Sequence, residues 1–210
     1  YLGNEGSGQQ LYRMRADGSS PPELVVAYLG RQINEAFWSR DGRWIVFRTV
    51  PNDIFAQRTA GDTSTIPILQ SAFDEFTPAL SPDGRWLAYM SNESGTFEVF
   101  VRPFPAAQSA KWQVSTASGS NPFWSPDGRE LLYWTLAAQL ISVPVLPGTT
   151  FVAGQHQTLR IDGQRFVGEI GAWDITPDGK RFIGIRAGSG GTEQRELIVL
   201  REVEHLSYEE

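Results

Sequence analysis

Carboxylates and one amide recur at comparable places along this chain, and their types suit an oxygen-ligated cation. Counting six residues back from each of four recurring aspartates (Asp41, Asp83, Asp127, Asp178) gives Glu35, Thr77, Asn121 and Ala172. Glu75 and Glu169 lie close to two of these positions. Asp174 falls four before its aspartate, where the other copies have Phe37, Ala79 and Phe123. A carboxylate in an apolar register needs a partner, a cation or water. If these segments line a common channel, Glu35, Glu75, Asn121, Glu169 and Asp174 are the candidate metal ligands. Oxygen ligands on one axis suit a divalent cation such as calcium or magnesium. Calcium or a transition metal held there would polarise an ester or phosphoester, so metal-dependent hydrolysis is one of two functions the residues allow.

Other chemistry is sparse. The chain has no cysteine, which excludes disulfides, thiol catalysis and cysteine-ligated metals. Its two histidines, His156 and His205, are too few for a histidine-rich zinc site, although His156 with carboxylates would serve. His156 lies between Gln155 and Gln157 in a long connection and reads as a surface histidine with a candidate binding role. There is no Gly-x-Ser-x-Gly elbow, and Gly6-Ser7-Gly8 and Gly190-Gly191 lack the lysine and helix of a phosphate loop. Trp44 and Trp86 share one register and offer either an aromatic contact surface or core packing.

The elements that must position these residues are marked by turns. Ser39-Arg40-Asp41-Gly42, Ser81-Pro82-Asp83-Gly84, Ser125-Pro126-Asp127-Gly128 and Thr176-Pro177-Asp178-Gly179 recur at steps of 42, 44 and 51 residues. Serine can bond back to the turn, proline presets φ, and glycine at the fourth place accepts positive φ. Each turn is followed by a basic residue (Arg43, Arg85, Arg129, Lys180) whose spacing is architectural, and then by an apolar strand. Those strands, such as Ile45-Val46-Phe47 and Leu131-Leu132-Tyr133, do not alternate, as expected for strands covered on both faces. A period of about 40–50 residues with strand signals indicates an array of blades.

The expected fold is therefore all-β, a β-propeller forming one domain over 1–203 with a polar tail at 204–210. A partial blade at 1–27 precedes blades at 33–70, 75–115, 119–153 and 170–200, for about four or five blades in all. Within them, Pro67 marks an edge strand, and Phe151-Val152 is expected as the fourth strand of the 119–153 blade. The 51-residue step reflects a long irregular connection over 154–169. The chain opens at Tyr1 in what reads as the middle of a β unit, as in a processed chain or a fragment. Leading strands that close on the last unit would complete a small ring. An open arc would instead expose edges that invite a homo-oligomer.

Asn121-Pro122-Phe123-Trp124-Ser125-Pro126-Asp127-Gly128-Arg129 and Thr77-Pro78-Ala79-Leu80-Ser81-Pro82-Asp83-Gly84-Arg85 resemble the WD-like repeat of TolB-type β-propellers. The likeness covers about 33–200 and is similar to the propeller regions joined to bacterial serine/threonine protein kinases, although no kinase motif is present. It implies a bacterial sensor or scaffold module, cytoplasmic or extracytoplasmic, that takes a protein, peptide or small molecule at the channel mouth. A net charge of −6 and a pI near 5.0 argue against a nucleic-acid backbone or an anionic membrane as partner. The longest apolar runs are far too short to span a bilayer.

Overall fold

Five antiparallel meanders follow one another along the chain in the computed structural model, which describes residues 2–5, 8–28, 31–159, 173–179, 181–187 and 195–199. The first holds β1 (Leu2–Glu5), β2 (Gly8–Arg13) and β3 (Glu23–Tyr28). The second holds β4 (Gln32–Trp38), β5 (Trp44–Val50), β6 (Ile54–Arg58) and β7 (Thr65–Leu69). The third is β8 (Glu75–Leu80), β9 (Trp86–Ser91), β10 (Glu98–Pro103) and β11 (Trp112–Gln113). The fourth is β12 (Ser120–Trp124), β13 (Glu130–Trp134), β14 (Leu140–Pro144) and β15 (Gln157–Leu159). The last is β16 (Trp173–Ile175), β17 (Phe182–Ala187) and β18 (Arg195–Val199). Within each sheet every strand pairs with the next, and Pro67 lies on an outer edge, where a residue without an N–H is tolerated.

The recurring turns hold the inner strand of a sheet to the second by one repeated bond set. In the first copy the Ser39 hydroxyl donates to Asp41 Oδ1 at 2.6 Å and accepts from the Trp44 N–H at 2.9 Å. Asp41 Oδ1 also accepts from the Arg43 N–H at 3.0 Å, and Gly42 closes the turn on the Ser39 carbonyl at 2.9 Å with φ of 70°. Ser81 and Ser125 repeat these bonds, and Thr176 substitutes its own hydroxyl. The serine–aspartate bond holds the Asp41 carboxyl below its usual range, with the Arg43 N–H adding to it.

Second strands are buried almost throughout because both of their faces meet a neighbouring sheet. The core is accordingly divided into layers between successive sheets. Leu11 and Val26 of the first sheet pack on Ile45, Phe47 and Phe55 of the second. Val46, Ile54 and Ile68 then meet Leu87, Tyr89 and Phe100. Ala88, Val99 and Val101 meet Leu131, Tyr133 and Val143, and Leu132 and Leu140 meet Phe182.

The expected strand at Phe151-Val152 is not one. The fourth strand of its sheet is β15, six residues further on, paired with β14 through Leu140 and Leu159. Phe151 is 3 % exposed and its ring sits edge-on to Trp86 and Trp124 at 5.8 and 6.4 Å and tilted against Trp112 at 5.7 Å. Burial among three indoles, rather than strand pairing, is what Phe151 provides, while Val152 is 41 % exposed.

Candidate functional site

The inner strands β4, β8, β12 and β16 have two ends; Glu75 and Asn121 fall at the starts, Glu35 in the middle of β4, and Asp174 beside Ile175 at the turn end of β16. Glu35 lies opposite Arg48 across β4 and β5. Arg48 Nη2 and Nε reach Glu35 Oε1 at 2.7 and 2.8 Å, and its side chain is only 3 % exposed. The guanidinium covers the Phe76 ring at 5.0 Å and donates from Nη1 to Asn52 Oδ1 at 2.7 Å. Asn52 and Asn92 then donate to the two oxygens of Asp74 at 2.6 and 3.1 Å. This relay ties the second sheet to the third, and it supplies Glu35 with a counter-charge from within the chain.

Glu75 is buried opposite Ser91, with Oε1 accepting from the Ser71 hydroxyl and Oε2 without a protein partner. Burial pushes its carboxyl up to about 7, and the charges of Asp53 and Glu93 add to the shift. Asn121 occupies a bulge of β12 with φ of 49°, matching Thr77 at 48° in β8. Asp174 lies in β16, paired with Ile183, and Glu169 is outside the described residues. Among the described residues no three His, Cys, Asp or Glu side chains gather closely enough to hold a metal ion. A further buried carboxylate, Glu98, also lies opposite Ser91 and accepts from the Ser115 hydroxyl and, at 3.0 Å, the Ser118 N–H. Its place in an otherwise apolar strand, Glu98 to Val101, was the available signal.

His156 is exposed, with Nδ1 3.3 Å from the Tyr133 hydroxyl. Trp44 is half-buried, edge-on to Phe104 at 5.2 Å and beneath the Arg58 guanidinium at 4.6 Å. Trp86 is 8 % exposed and belongs to the core with Trp112 and Phe151, which takes it out of any contact surface.

The turn ends of the same four strands border a cavity of about 450 Å³ that is broadly open to solvent. Its wall is built from two register positions repeated around the axis. Three residues before each turn aspartate stand Trp38, Leu80, Trp124 and Ile175, and one residue before stand Arg40, Pro82, Pro126 and Pro177. Phe37, Pro78 and Ala79 fill the space between. Trp124 Nε1 donates to the Ala79 carbonyl at 3.0 Å, which fixes one indole and satisfies its buried donor. Trp38 remains 40 % exposed, an aromatic face open to a ligand. The Arg40 guanidinium donates through Nη1 to the Pro126 carbonyl, 86 residues away in sequence, so it reaches from the second sheet to the fourth. An apolar, partly aromatic mouth with a few convergent polar groups is the usual form of a ligand site. Trp38 and Arg40 were not singled out by sequence reasoning, although Arg40 is the one departure from proline at its turn position.

No family model matches the sequence, and a search of curated proteins finds no match. Solved structures do match. TolB from Acinetobacter baumannii superposes with a TM-score of 0.70 at 16% identity, covering 94% of this chain and 47% of TolB. The dihydro-heme d1 dehydrogenase NirN superposes with a TM-score of 0.56 at 14% identity, covering 84% of this chain and 37% of NirN. This chain thus spans about half the length of the TolB structure it resembles. With its helix-free meanders of three or four strands packed sheet on sheet among the described residues, the chain has the β-propeller fold of TolB-type proteins.

Proposed function

We propose that this propeller is a binding module that seats its ligand at the turn-side mouth of the inner strands. One observation carries the reading. The same two register positions of four consecutive blades converge on one cavity, and the Trp38 indole in its wall is exposed. The lining supplies contact area and shape, and its one hydroxyl, Ser125, is committed to its own turn through Asp127 and the Glu130 N–H, which suits recognition of a small molecule, a peptide or a protein segment rather than turnover. The alternative, metal-assisted hydrolysis, needs converging ligands. Of the candidates Glu35 is already paired with Arg48, Glu75 and Asn121 lie at the other end of their strands from the cavity, and among the described residues Asp174, beside it, has no two further His, Cys, Asp or Glu side chains grouped with it.

Titration of the intact chain with 1-anilinonaphthalene-8-sulfonate tests the reading. The expected result is saturable dye emission that Trp38→Glu abolishes while far-UV circular dichroism and thermal midpoint hold. Dye binding that Trp38→Glu leaves unchanged would place the site elsewhere.

A further inference from the structure

The mouth is not charge-neutral, and its asymmetry comes from one residue. Each described turn balances itself, because its aspartate accepts from its own serine or threonine and faces the arginine that follows. Asp41–Arg43, Asp83–Arg85, Asp127–Arg129 and Asp178–Arg181 approach to 3.5, 3.9, 3.9 and 4.0 Å. Arg40 is additional to this scheme. It stands where the other three turns have proline, and among the described residues no carboxylate pairs with it. Its one bond is to a neutral carbonyl across the cavity. Among the described residues the guanidinium is also the single charged group in the cavity wall, set against Trp38, Trp124 and prolines.

Building on the reading of this cavity as a binding site, we propose that it takes a ligand with an apolar, aromatic body and one carboxylate, and that Arg40 is the residue that selects the carboxylate. A planar guanidinium beside an apolar wall matches a carboxylate bidentately, and such charge-assisted pairs are stronger where water is displaced. The carbonyl of Pro126 uses one donor of the fork and leaves the rest for the ligand. The aromatic body would lie against Trp38 and the prolines, and its carboxylate would bring the charge that no residue of the wall provides. The chain as a whole carries a net charge of −6, so the preference for an anion would be a property of this mouth and not of the overall field.

Isothermal titration with 2-naphthylacetate and its neutral amide, 2-naphthylacetamide, separates the two parts of this reading. The intact chain is expected to bind the acid about tenfold or more tightly than the amide, with the preference shrinking as salt is raised. Arg40→Pro restores the Ser-Pro-Asp-Gly turn of the other copies and is expected to remove the preference for the acid over the amide. Arg40→Gln serves the same purpose if the proline variant fails to fold. Equal binding of acid and amide to the intact chain, or a preference that survives both substitutions, would overturn the role of Arg40 while leaving the cavity as a binding site. No binding of either probe, or binding that Trp38→Ala does not weaken, would overturn the site itself and the proposal with it.

Discussion

Replacing Glu75 by glutamine should reverse the sign of its effect between pH 5 and pH 8. The carboxyl is buried at the seam between the second and third sheets, its Oε1 accepts from Ser71, and its Oε2 has no protein partner. Burial is the main reason it titrates near 7, with Asp53 and Glu93 raising it further and Arg102 opposing them. The folded chain therefore keeps a proton that the unfolded chain has already released. Stability contributed by this group is full below the ordinary glutamate range, falls as pH rises toward 7, and is level above that. With about 1.4 kcal/mol per unit of displacement, the loss between pH 5 and pH 8 comes to about 2–3 kcal/mol. Glutamine keeps the carbonyl for Ser71 but puts an amide donor where Oε2 has no partner, a pH-independent penalty of about 1 kcal/mol. Urea denaturation of both proteins at pH 5, 6, 7 and 8 should show the variant slightly weaker at pH 5 and stronger by about 1–2 kcal/mol at pH 8. A difference that stays constant across this range would refute the argument, because it would mean that Glu75 ionises alike in the folded and unfolded chain.

Two further substitutions test the packing that holds the sheets together. Arg48→Met strips the counter-charge from Glu35 and a donor from Asn52, and should lower unfolding free energy by about 3–5 kcal/mol, measured by urea denaturation. A loss below about 1 kcal/mol would show the relay to be dispensable. Phe151→Ala opens a hole among Trp86, Trp112 and Trp124 and should cost about 3–5 kcal/mol, with a change in tryptophan emission on the folded protein. An unchanged emission spectrum would contradict the packing of the ring against these indoles.

The turns were legible in the sequence because they act locally. The bonds among Ser39, Asp41 and Trp44 and the positive φ of Gly42 all lie within six residues, so composition alone announces them. Phe151 was not legible, because an apolar pair after a turn satisfies strand propensity equally well whether it pairs or plugs a gap. The true outer strand, Gln157-Thr158-Leu159, is largely exposed and polar and carries no pattern to read. Glu35 reads as a ligand until its pairing is known. The register shift between Ile33 and Glu35 sets it opposite Arg48, and a bulge of one residue cannot be counted from sequence.

The two ends of the inner strands differ in a way that bears on where function lies. At the starts, Arg48, Asn52, Asp74 and Asn92 satisfy one another, and the polar atoms serve to hold sheet to sheet. At the turn ends, three copies are alike in proline and self-balanced charge, and one breaks the pattern with Arg40. In an array of repeats, what the copies share is what each blade needs in order to fold and stack. A departure that keeps the turn intact is free of that demand. Arg40 keeps the hydrogen bonds of its turn, with Ser39, Asp41 and Gly42 placed as in the other copies, and still sends its charge across the mouth to Pro126. The turn geometry does not require that charge; its bond to Pro126 ties the second sheet to the fourth, and the carboxylate ligand proposed above would give the charge itself a use.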